Sequence, residues 1–112
     1  MRAMSRHFFD CEHDGRSVRV RLGYDRPLDE YFLHIEFRDS GADDEHTMLY
    51  ASINDPSADT TKLSYFAGVL AKYGINVPRN LIREVAADAF YRVGNRYVQH
   101  FEDGRMVEPS LN

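Results

Sequence analysis

The chain has 112 residues, of which 43% are hydrophobic and 29% charged, with a formal net charge of −4 and one cysteine. That length suits a single domain, the composition excludes global disorder, and the lone Cys11 excludes an intramolecular disulfide. No apolar run approaches the ~20 residues a membrane-spanning helix needs, and no signal-peptide core follows the first residues. The expectation is a soluble, cytoplasmic chain forming one domain over residues 1–112, with frayed ends at 1–5 and 109–112.

Residues 7–13 and 16–24 flank Asp14-Gly15, a pair suited to the two positive-φ positions of a type I′ turn. A two-residue loop pairs Cys11 with Val18, Phe9 with Val20 and His7 with Leu22 on one face. It pairs Asp10 with Arg19 and Phe8 with Arg21 on the other, so apolar and charged contacts segregate, Phe8 excepted. After a connection around Pro27, Tyr31, Leu33, Ile35 and Phe37 alternate with Phe32, His34, Glu36 and Arg38, the strongest strand signal in the chain. A polar loop over 40–45 leads to a fourth strand over 47–53, which completes a meander.

Residues 54–59 break the pattern, and Asp59 or Thr60 is placed to cap a helix. Leu63, Phe66, Ala67 and Leu70 fall on one helical face, Gly74 suits the left-handed position beyond its end, and Ile75 is placed to fold back on the last turn. Pro78 suits the first position of a second helix, whose apolar face is Leu81, Ile82, Val85, Ala86 and Ala89. A strand over 96–101 and a short partner around Asp103-Gly104 close the chain. The predicted fold is α+β: an antiparallel sheet of four to six strands, in the order β-β-β-β-α-α-β, with a helical hairpin on one face.

Charge is unevenly spread. Residues 27–60 carry nine acids against Arg38 alone, whereas the helical region has a basic excess. The helix-Gly-helix of 61–92 invites a DNA-reading interpretation through Arg79, Asn80, Arg83 and Arg92. Pro78, a connection longer than the usual three or four residues, and the interruptions by Glu84 and Asp88 favour two helices packed on a sheet. The acidic balance of the whole chain also disfavours a phosphate-tracking protein.

His7, Cys11 and His13 share a strand face, so a metal site or a Cys–His nucleophile there is one reading, with His34 or His100 as further members. Strand neighbours on one face lie about 6.5–7 Å apart. No Cys-x-x-Cys or His-Glu-x-x-His spacing supports that reading, and a buried thiol beside a histidine competes with it. Asp39, Asp43, Asp44, Glu45 and His46 could offer oxygens to a cation, but the EF-hand pattern is missing and a solvated loop is the plainer interpretation. No phosphate loop, nucleophile elbow or cofactor motif is present, so no cofactor is expected.

The aromatics exceed what these faces can bury, and Tyr and Arg are enriched at protein interfaces. The leading expectation is a small intracellular non-enzymatic interaction module. Its surface comprises Phe8, Arg19, Arg21, Phe32, His34, Tyr65 and Tyr73, and its partner is another protein or a second copy in a homodimer. A small metal-dependent or Cys/His enzyme is the alternative, and nucleic-acid binding through Arg19 and Arg21 or Arg79 and Arg83 is the third reading.

Overall fold

The computed structural model describes residues 3–38 and 48–109. Strands β1 (Met4–His13), β2 (Arg16–Asp25), β3 (Glu30–Phe37) and β4 (Met48–Ala51) precede a 3₁₀ turn at Ser52–Asn54. Helices α1 (Leu63–Lys72) and α2 (Arg79–Phe90) follow, then strands β5 (Arg96–His100) and β6 (Met106–Val107). The described strands form one six-stranded sheet in the order β4-β3-β2-β1-β5-β6. The fold is therefore α+β, as the sequence pattern predicts.

The β1–β2 register pairs Cys11 with Val18, Phe9 with Val20 and Phe8 with Arg21. Asp14 and Gly15 have φ of 50° and 79°, as a type I′ turn requires. One expectation needs correction, because the sheet is mixed. β5 runs parallel to β1, whereas every other neighbouring pair is antiparallel. A tight turn can only join antiparallel neighbours, but the long α1–α2 connection carries the chain across the sheet and frees β5 to pair either way.

Alternation divides the sheet into two faces. Phe9, Val18, Val20, Leu22, Leu33 and Ile35 point inward and are buried with Phe66 and Leu70 of α1 and Leu81 and Val85 of α2. Each such side chain stabilises the fold by about 1.5–3 kcal/mol before chain entropy is subtracted. α1 lies against β3, and α2 against β2 and β1.

The helix ends show which local signals prevail. Gly74, at φ 72°, ends α1, with Gly74 N–H donating to the Ala71 carbonyl and Ile75 N–H to that of Leu70, and Ile75 is buried. This is the Schellman arrangement expected of a glycine there. The α1 start differs from expectation. Its N-cap is Lys62, without a side-chain bond, and Asp59 instead accepts from the backbone N–H and hydroxyl of Thr61 in a local turn. Pro78 is the N-cap of α2, one position before the place predicted for it. α2 ends on Arg92 in the left-handed region at φ 52°, with Val93 N–H reaching the Asp88 carbonyl. The chain is also ordered into a strand from Met4, with Ser5 buried, where fraying through residue 5 was expected. The acidic loop of residues 39–46 lies outside the described residues.

Candidate functional site

Among the described residues no helix lies on the outer face of the sheet. Residues alternating with the core project there: Arg6, Phe8 and Asp10 from β1, Arg19 and Arg21 from β2, Phe32, His34 and Glu36 from β3, and Tyr97 and Gln99 from β5. Phe8 and Tyr97 lie side by side with parallel rings, centroids 6.4 Å apart and planes 6° apart. Arg19 and Arg21 sit over Phe8 at 5.4 and 5.9 Å, and Arg6 sits 4.9 Å over Tyr97 while donating to its hydroxyl at 2.6 Å.

Carboxylates bind the arginines into this array. Arg19 makes a bidentate pair with Asp10 at 2.7 and 3.0 Å, which Arg38 approaches at 3.6 Å. Burial works against the Asp10 charge, but the bond and charge of Arg19, with Arg38, prevail and hold its carboxyl below the usual range. Arg21 reaches both oxygens of Glu36 at 3.3 Å, and its Nε is buried with no partner among the described residues.

Phe32 is the least available ring of the set. It lies across Gly23, where an added Cβ would come within 2.6 Å of its Cζ, and it is 9% exposed. His34 packs at 5.7 Å from Phe32, and burial, aided by the charge of Arg21, pushes its imidazole below its ordinary value.

The predicted interaction residues therefore divide. Phe8, Arg19, Arg21, Phe32 and His34 share the outer face, but Tyr65 on α1 and Tyr73 at its C-cap pack against the core. Tyr65 and Tyr50 both donate to the same Asp55 oxygen at 2.7 Å, and Tyr73 donates to the Leu49 carbonyl at 3.5 Å. The sequence-based surface omitted Arg6, which strand parity would have placed beside Phe8, and left Tyr97 unplaced. Tyr97 joins the face because β5 docks against β1.

His7, Cys11 and His13 share the inner face, as their spacing predicts, but go to different partners. His7 Nε2 contacts Asp88 Oδ2 at 2.7 Å and its Nδ1 contacts His100 Nε2 at 2.8 Å. His13 packs edge-on to Tyr73. Cys11 rests against the core, where burial, with the Asp10 charge adding, pushes its thiol up. No three His, Cys, Asp or Glu side chains among the described residues are grouped as a metal site requires.

The Asp88 cluster is structural in form. Ser5, His7, Asp88 and His100 are all at most 1% exposed. Burial opposes ionisation of Asp88, but hydrogen bonds from His7, Ser5 and Arg96 prevail and hold its carboxyl below the usual range. An ionised Asp88 only accepts, so His7 donates to it from Nε2, and between His7 Nδ1 and His100 Nε2 whichever nitrogen carries the proton donates to the other. Arg96 then ties Asp88 at 2.7 Å to Glu84 at 2.8 Å and Glu108 at 2.7 Å.

Compared with protein families, curated proteins and solved structures, the chain matches none. Among the described residues no helix is long and apolar enough to cross a membrane.

Proposed function

We propose that this chain is a non-enzymatic protein-interaction module that works through the uncovered face of its sheet and self-associates there as a homodimer. The observation that carries the reading is the Phe8–Tyr97 pair framed by Arg6, Arg19 and Arg21 on a face that neither helix covers. Aromatic and arginine side chains are the types that dominate protein interfaces, and rings already braced by guanidinium groups lose little freedom on contact.

The charge pattern favours a protein surface over a polyanion. Asp10 and Glu36 within the face, and Glu12 and Glu30 at its ends, offset Arg6, Arg19, Arg21 and Arg38. Alternating charges let a rotated copy bring acid opposite base, as a two-fold interface requires. Catalysis is disfavoured because Ser5, His7, Asp88 and His100 are closed to solvent and, among the described residues, only the Arg96 ion pairs with Glu84 and Glu108 at the edge of that cluster reach the surface.

Size-exclusion chromatography with light scattering tests the proposal. The expected result is a species of twice the 13.0 kDa chain mass at micromolar concentration. Phe8→Lys, with unchanged circular dichroism, should raise the dimer dissociation constant by tenfold or more, about the effect of losing one dominant interface residue. A strict monomer across the accessible concentration range would overturn self-association.

A further inference from the structure

At the margin of the open face, where the segment after β4 rises over the start of β3, lies a cavity of about 260 Å³. Its apolar walls include Met4, Leu28, Phe32 and Ile53, and its polar lining includes Asp25 and Glu30. Two features mark it as more than a surface dent.

Its lips are apolar, exposed and held in place. Ile53 is 88% exposed and Leu28 is 56% exposed. Ile53 belongs to the 3₁₀ turn that Ser52 secures by accepting the Leu33 N–H at 3.2 Å and the Asp55 N–H at 3.1 Å. Leu28 is secured by its N–H bond to Asp25 at 3.3 Å and by its neighbour Asp29, which stands at φ 54°. Asp29 in turn accepts the Tyr24 hydroxyl at 2.6 Å and pairs with Arg92 at 3.2 Å. Apolar groups kept in water on well-braced turns form a pre-organised binding lip.

The second feature is the sign of the charge. Among the described residues no Lys or Arg lines the cavity. Glu30 is half-buried and makes no hydrogen bond or ion pair with a described side chain. The His34 imidazole in the wall is kept neutral near neutral pH by burial, with Arg21 nearby. The volume falls below the roughly 300–1,000 Å³ of drug-sized sites, which limits the occupant to a ring or short chain with one polar end.

We propose that this cavity binds a small organic ammonium ion, its apolar body against Met4, Leu28, Phe32 and Ile53 and its charged nitrogen against Glu30. The cavity borders the open face and shares Phe32, His34 and Glu30 with it, but its lips Leu28 and Ile53 stand outside that face, so ligand titration and light scattering read the two proposals separately.

The test is amide NMR on isotope-labelled protein titrated with phenethylammonium, phenethyl alcohol and hydrocinnamate, which share a body and differ in charge. The expected result is saturable shift changes confined to Met4, Asp25, residues 28–34 and 52–54, and Thr60, with the ammonium binding about tenfold tighter than the alcohol, the gain from one charge-assisted bond. Glu30→Gln should remove that difference and leave alcohol binding unchanged. Should Glu30→Gln misfold, the exposed Ile53→Ser should weaken ammonium and alcohol alike. Equal binding of all three probes, or no saturable binding of the ammonium, would overturn the proposal. Light scattering of Ile53→Ser, in the turn after β4 and outside the open face, should give the wild-type mass.

Discussion

His100 has one ring nitrogen, Nδ1, that is buried without a partner among the described residues, and the other committed to His7. Desolvation, with His7 adding to it, pushes its pKa from 6.5 down to about 4. Between those values the unfolded chain takes up a proton that the folded His100 refuses. Stability from this residue is therefore complete above pH 6.5 and declines as pH falls toward 4, by up to about 3 kcal/mol. Thermal melts across pH 7.5 to about 4 should show this decline, and His100→Gln, which keeps a donor for His7, should flatten it. Asp88→Ala should cost about 3–5 kcal/mol in a denaturant titration, because it leaves Arg96 and His7 facing an uncompensated buried site. Strand parity put His7 inward, so part of this cluster was legible. Its partners were not, because Asp88 and His100 lie 81 and 93 residues away and only the docking of α2 and β5 brings them to it. From the sequence, Asp88 could only be read as a break in the basic face of a helix.

Local chemistry decides the elements whose neighbours are close in sequence. Asp14-Gly15 sets the turn of the first hairpin and hence its whole register, and Gly74 with Ile75 ends α1 as expected. Where two local options compete, the packed structure chooses. Asp59 could cap a helix or close a turn on Thr61, and it does the latter. Gly23 was unremarkable in the sequence, yet its missing side chain lets Phe32 lie flat across β2. Gly23→Ala would drive a Cβ into the Ser5 carbonyl and the Phe32 ring, and should lower stability by about 1–3 kcal/mol or more, measurable as a lower denaturation midpoint at unchanged slope. The direction of β5 was illegible because a long helical connection is compatible with either pairing.

At the scale of the molecule, two helices close one face of the sheet and leave the other to an array of rings and ion pairs. Phe8 and Tyr97 lie half-buried at that face, Phe90 and Tyr91 at the end of α2 are exposed, and Tyr50, Tyr65 and Tyr73 fasten α1 and the segment after β4. The pairing of β1 with β5 brings together two strands that three strands and two helices separate along the chain. During synthesis, therefore, β1 waits with an open edge until residues 96–100 have left the ribosome, and the Asp88 cluster cannot assemble before then. A released chain truncated after residue 95 should remain protease-sensitive, and the released 112-residue chain should be resistant, because only the latter brings Arg96 and His100 to Asp88 and His7. The chain thus commits to its fold late, with its own N-terminal strand as the segment most in need of a chaperone while it waits.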